Sequence, residues 1–400
     1  MGTFLISNQT GDAPSMVTFG FRLMACAAIA LLVGCETSRR AAPPSAPAVS
    51  FDAVSWSKLP GWRADDALAA WPALVNSCSA IHSRPEWSSF CAAVVAASPT
   101  DAEFTRVFIE QQLTAYRITR VTGRKRETTG LVTGYYEPLL HGSRERSEQY
   151  ATPLYRRPDD LLIVDLASVI PELKGRRVRG RLEGNKVVPY FSRGETRGAA
   201  SLAGREIVWI DNALDAFMLE VQGSGRVQLT TGETIRLQYE DQNGHPYRSI
   251  GKYLADQGVM PIEQVNMPAI RAWLAANPQR LNEVLDTNPS VVFFREGALD
   301  DPSVGPKGAL GVPLTAGRSI AVDPKFLPLG APMFLSTTQP GTALPLQRLV
   351  VAQDTGGAIR GPVRADLFFG FGAEAGAQAG MMKYDGEMWL LWPRAAPPPR

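Results

Sequence analysis

A mainly β chain with helices at its N-terminal end is the fold class that three features of the sequence predict. Apolar residues at helical spacing run through the N-terminal region as far as about Gln111. From about Leu131, short alternating segments run between glycines and prolines. From Pro306 to Trp392 short strand patterns return without the alternation of strands and long helices that marks a parallel α/β sheet, so a small closed β-structure is expected there.

Along the chain, Leu68, Trp71, Leu74 and Val75 share one helical face, and Thr100 with Glu103 reads as a capping box ahead of Phe104, Val107 and Phe108. Phe217, Leu219 and Val221 alternate with polar neighbours and read as a strand. Val227 and Leu229 face Ile235, Leu237 and Tyr239 across a turn at Gly232, a hairpin pattern. Helical spacing returns at Ile250, Tyr253 and Leu254, at Ile270, Trp273 and Leu274, and at Leu281, Val284 and Leu285, with Asn277-Pro278 parting the last two. Strands are expected at Ser319 to Val322, Pro332 to Ser336, Leu346 to Ala352 and Met388 to Trp392.

The 400 residues are 45% apolar and 20% charged, the balance of a globular protein. A net charge of +2 without basic clusters argues against nucleic acid and suits an uncharged polymer. Leu23 to Val33 is an apolar run preceded by Arg22, too short for a permanent membrane span and ending in Leu32-Val33-Gly34-Cys35. That ending resembles a bacterial lipobox, so residues 1–35 are expected to be a lipoprotein signal with Cys35 lipidated; either Met1 or Met16 serves as its start. Residues 36–50, rich in Pro, Ala and Ser, read as a tether, and 395–400 as a Pro-rich tail. Of four cysteines, Cys78 and Cys91 remain, and their separation permits a disulfide as readily as two buried thiols. The histidines are far apart, and no metal or cofactor is expected.

The densest chemistry lies where an apolar strand, Val350 to Ala352, delivers Asp354 to a glycine-rich turn, with Asp366 twelve residues on and Asp323 at the end of the preceding strand pattern. Carboxylates at strand ends suit acid/base work, though an Asp in a turn also serves simply to bind backbone amides. Asp354-Thr355-Gly356 matches the aspartic-protease triplet, but those enzymes need two triplets and this chain has one.

These segments together resemble the membrane-bound lytic murein transglycosylases of type A and their C-terminal three-aspartate domain. The matching blocks are Val322-Asp323-Pro324, Ala352 through Gly361, Ala365-Asp366 and Gly372 through Gly376. Further blocks are Thr133 through Pro138, Val221 through Gly225, Asn243 through Lys252, Asn288 through Phe294 and Lys307-Gly308-Ala309. The resemblance implies a double-psi β-barrel built from 51–135 and 307–394, a smaller β-rich domain inserted at 136–306, and a glycan groove between them. It further implies cleavage of the MurNAc–GlcNAc bond of peptidoglycan to 1,6-anhydro ends, with Asp366 as the single acid/base and Asp354 beside it. Thr133, Tyr135, Tyr136, Gln222, Gly223, Ser224, Gly225 and Lys307 are then expected to contact substrate, with Asp323 placed first as structural support and second as a substrate contact. For Tyr135 and Tyr136 a place in the core is an equal alternative to stacking on sugars, and Glu137 is left as a candidate second acid. Leu367, Phe368 and Phe369 are candidates for desolvating Asp366. The implied setting is the periplasmic face of the outer membrane, with peptidoglycan strands, the membrane through the lipid anchor, and a cell-wall synthesis complex as partners. A peptidoglycan hydrolase or a non-catalytic glycan-binding lipoprotein is the competing reading.

Overall fold

The computed structural model describes residues 48–173, 178–297 and 301–397, together with 299 and 399; the expected signal, tether start and Cys35 lie outside them. Six strands close on themselves. Lys383–Pro393 pairs with Pro332–Thr338, which pairs with Pro345–Asp354, then Ser319–Ala321, then Ala365–Phe371, then Thr129–Glu137, and this last strand pairs back onto Lys383–Pro393. Two of the six pairings are parallel, Ser319–Ala321 with Pro345–Asp354 and Thr129–Glu137 with Ala365–Phe371. The barrel therefore takes one strand from ahead of residue 138 and five from beyond 318, which fits the expected double-psi class. Leu113–Thr122 and Ala48–Val54 extend it outward from Lys383–Pro393.

The principal core explains the closure. Ile320, Val322, Met333, Leu335, Val351, Ala365, Leu367 and Leu390 are buried together with Leu74, Ile81 and Val94 of the N-terminal helices, so strands and helices cover one apolar mass. Helices Trp71–Ile81 and Ser88–Ala96 are joined by a Cys78–Cys91 disulfide, which decides between the two readings of that pair. A loop this short constrains the unfolded chain by about 3 kcal/mol. Urea unfolding with and without reductant is therefore expected to differ by roughly that amount, and a Cys78→Ala/Cys91→Ala variant should match the reduced protein.

Between the first barrel strand and the rest lies a second sheet, in the order Val292–Gly297, Thr234–Gln242, Ser224–Leu229, Leu139–Ser143, Glu206–Ile210, Thr152–Tyr155. The expected hairpin is present, with Val227 opposite Ile235 and Gly232 at φ 88°. The expected strand through Phe217, Leu219 and Val221 is instead a helix, Ala213–Gln222. Asn212 caps it by accepting from Leu214 N and Asp215 N, while Leu214, Phe217 and Leu219 are buried and Val221 is exposed. Three alternating positions fit either period; the cap and the run of good helix formers decide. The capping box at Thr100 is also corrected, because the cap of helix Ala102–Gln112 is Asp101, accepting from Phe104 N, and Glu103 pairs with Arg106. Three further helices, Ile250–Asp256, Met267–Ala276 and Leu281–Asp286, stand where their spacing predicts them. Helix Gly372–Met381, rich in Gly and Ala, was not foreseen.

Candidate active site

Ala321 is the reference point of the site. It pairs with Asp354 on one side and Asp366 on the other, and Asp366 pairs in turn with Thr133. The two aspartates, carried on strands that do not pair directly, thus stand in one row through Ala321, with side chains on the same face of the barrel wall. That face is turned from the principal core. Ala365 and Leu367 belong to the core, whereas Asp366 and Phe368 alternate to the other side, where Tyr135, Leu314, Ala321, Ile359 and Phe368 form a small apolar cluster.

Asp366 is enclosed by protein atoms yet keeps part of its surface open. Burial is the first cause that pushes its carboxyl up to about 6, and the nearby Asp354 charge acts in the same direction. The Thr133 hydroxyl, which donates to Oδ1 at 2.5 Å, and the Arg364 cation work against the rise without cancelling it. Arg364 Nη2 donates to the Thr133 hydroxyl oxygen at 2.8 Å, which leaves the threonine proton directed at Asp366. Arg364 is a site residue that sequence reasoning missed; the available signal was a cation two places before Asp366, hence on the same strand face.

Asp354 has different surroundings. Its Oδ1 accepts from the backbone N–H of Ala309 and of Thr355, each at 2.8 Å, and its Oδ2 accepts from the Tyr135 hydroxyl at 3.0 Å. These donors stabilise a carboxylate. The same carboxylate, with burial as the first cause, holds the Tyr135 hydroxyl well above its usual range, so the tyrosine remains a donor. Two acids in one row thus have different surroundings: burial raises the Asp366 carboxyl, whereas Asp354 accepts from three donors.

The loop supplying Ala309 N is tied back by Gly308 N donating to Val312 O and Leu310 N donating to Gln353 O, both at 3.0 Å. A Cβ on Gly308 would meet Gln353 O at 2.5 Å and Leu314 Cδ2 at 2.7 Å, so the close approach requires glycine.

The remaining predicted residues separate. Thr133 and Tyr135 touch the aspartates directly. Tyr135 is buried with its ring 5.3 Å from Phe368, so it contributes its hydroxyl and not a stacking face. Tyr136 is half-buried and its backbone N–H donates to Gln222 Oε1 at 3.1 Å, which links the barrel strand to the end of helix Ala213–Gln222. Gly223 ends that helix at φ 80°, Ser224 is half-buried, and Gly225 is buried against Leu219 and Pro138. Lys307 is exposed, two residues before Ala309.

Asp323, placed from the sequence as structural support before substrate contact, is 2% exposed. Its oxygens are used on Gly361 N at 2.8 Å and Lys325 N at 3.2 Å, so it fixes the glycine-rich loop. Glu137 is likewise no second acid: it is 0% exposed and receives Arg226 Nε at 2.9 Å and Arg236 Nε at 2.7 Å. The same arginines reach Pro302 O and Val304 O, so this triad joins the first barrel strand, the second sheet and the returning chain. Of the three apolar neighbours of Asp366, Phe368 is the one on its face; Leu367 and Phe369 pack toward the principal core.

Comparison with known proteins agrees with this geometry. Residues 131–295 match the family described as the MltA specific insert domain and residues 318–392 match the 3D domain. The chain is 34% identical over 268 residues to membrane-bound lytic murein transglycosylase A of Escherichia coli (strain K12), covering 65% of this chain and 64% of that protein, just under two thirds of its length. It is 31% identical over 277 residues to the protein of that name from Vibrio cholerae, with 67% of each covered. Among solved structures, MltA from Neisseria gonorrhoeae in its monoclinic form superposes with a TM-score of 0.74 at 35% identity, covering 89% of this chain and 97% of that one. Escherichia coli MltA with bound chitohexaose superposes with a TM-score of 0.63 at 26% identity, covering 87% and 95%. A closed barrel with its row of aspartates, a second sheet inserted after its first strand, and these matches in one order place the chain in the membrane-bound lytic murein transglycosylase A family.

Proposed function

We propose that this protein is a peptidoglycan lytic transglycosylase in which Asp366 alone serves as acid and then base, cutting the β-1,4 bond between MurNAc and GlcNAc. The observation that carries this reading is the row of Asp366, Ala321 and Asp354 on one wall face, in which the half-buried Asp366 carboxyl is pushed up to about 6 while Asp354 accepts from three donors. As the C1–O bond breaks, the protonated Asp366 gives its proton to the departing glycosidic oxygen. The resulting carboxylate takes the proton of the muramyl C6 hydroxyl as that oxygen bonds to C1, which restores the acid and closes a 1,6-anhydro ring. Asp354, held as an anion, stabilises the positive charge that develops near C1. Its oxygens are engaged by Tyr135, Ala309 and Thr355, which disfavours it as a nucleophile or as the base for a water, the roles that a second carboxylate fills in ordinary glycosidases.

This reading lays the glycan between barrel and inserted sheet and assigns Tyr136, Gln222, Ser224 and Lys307 to contact it. The domains proposed are 51–135 with 307–394 for the barrel and 136–306 for the insert. Lipidation at Cys35 would hold the enzyme at the periplasmic face of the outer membrane, within reach of the cell-wall synthesis machinery.

Digestion of purified sacculi in ¹⁸O-water followed by mass spectrometry tests the reaction. Unlabelled anhydromuramyl ends support transglycosylation; label at new reducing ends would make the protein a hydrolase. Gly308→Ala is expected to displace the Ala309 amide from Asp354 and lower kcat/KM roughly 10- to 100-fold in muropeptide release, since small misplacements at reacting groups have costs of that order.

A further inference from the structure

The strand that carries Asp366 also carries an exposed aromatic residue that the reaction as described leaves unused. Phe371 is 49% exposed at the end of Ala365–Phe371. Between Phe368 and Phe371 the pairing with the first barrel strand shifts: Phe368 is opposite Tyr135 while Phe371 is opposite Glu137, one residue more on this strand than on its partner. Gly370, at φ 107°, accommodates the bulge. A strand without the extra residue would send Phe371 to the other side of the wall. With it, Phe371 returns to the face of Asp366 and Phe368, roughly 13–16 Å along the strand from the acid.

One side of the ring is already in use. The Arg226 guanidinium lies 3.9 Å from its centroid, and Arg226 cannot turn away, because its Nε is bonded to Glu137 and its Nη2 to Pro302 O. The ring is pinned from behind at the junction of barrel and inserted sheet, and the area it leaves in solvent is apolar and fixed. A rigid aromatic face loses little freedom when a flat apolar surface settles on it.

We infer that Phe371 is a stacking platform for a sugar ring of the bound glycan, several residues along the strand from the bond cut at Asp366. The inference rests on the glycan-cleaving reading above and adds a binding residue to it. The Glu137–Arg226 pair then acts as the platform's support, which gives that buried cluster a second consequence besides joining the lobes.

Binding of chitohexaose to protein carrying Asp366→Asn, measured by calorimetry with Phe371→Ala, Phe371→Leu or Phe371→Trp added, tests it. Leucine keeps an apolar cover over Arg226 without an aromatic face, so the melting temperature of that variant separates a fold defect from a binding defect. The expected result is affinity about tenfold weaker for the alanine and leucine variants at an unchanged leucine-variant melting temperature, with tryptophan restoring it. Equal affinity in all four proteins overturns the platform and leaves the glycan reading standing. Failure of the Asp366→Asn parent to bind chitohexaose overturns both.

Discussion

Asp366→Asn is expected to lower the rate of muropeptide release by about 10³-fold or more, because one group is asked to perform both proton transfers and each such contribution is typically worth 10²–10⁴. The loss should fall on kcat, since Asn keeps the shape of the side chain and can still accept from Thr133. Stability moves the other way. Folding raises the Asp366 carboxyl to about 6 from an ordinary value of 3.8, so the folded chain binds this proton more tightly than the unfolded one. The contribution of Asp366 to stability is therefore most favourable below pH 4, declines as pH rises from 4 to 6, and remains a penalty above 6. Replacing it by Asn removes that penalty, and at pH 7 the variant should be about 3 kcal/mol more stable than the parent, with the difference vanishing near pH 4. Urea unfolding at the two pH values checks this, and an inactive variant that is less stable at pH 7 would contradict the assignment.

The largest stability effect is expected at Glu137. Its carboxylate is the sole acidic partner identified for Arg226 and Arg236 among the described residues, and all three are buried. Removing one member of such a cluster leaves charges stranded in a region of low dielectric constant and costs about 3–5 kcal/mol. Glu137→Ala should lose that much in urea unfolding. Glu137→Gln, which retains acceptors but not charge, should lose part of it. Because the triad also ties the inserted sheet to the barrel, weakened binding of glycan is expected before global unfolding. A loss below about 1 kcal/mol in the alanine variant, with kcat abolished, would instead return Glu137 to the role of a second acid.

Much of the site was legible in the sequence, for reasons that particular residues make clear. Asp354 and Asp366 stood out because an apolar strand and flexible glycines frame them, and the expected barrel class followed from short strands without βαβ alternation. The row that brings them together through Ala321 was not legible, since register between strands distant in sequence is set by the shared core and not by local pattern. Asp323 and Glu137 carry the same functional group as the two site acids; only burial and the donors around them assign them to scaffolding. The helix Gly372–Met381 escaped because glycine disfavours helices. Gly376 is there for packing, as a Cβ would lie 2.8 Å from the Tyr136 ring. Arg364 escaped because one cation beside an aspartate ordinarily reads as surface charge, and its bond to Thr133 appears only after two strands pair in parallel.

The dependence of kcat/KM on pH tests the central claim most directly, because a single acid that must begin each turnover protonated leaves one signature in the free enzyme. The account predicts a plateau below about pH 6 and a tenfold fall for each further pH unit, set by the raised carboxyl of Asp366. A profile that stays flat to pH 8, or that rises through pH 6 as a base loses its proton, would contradict it.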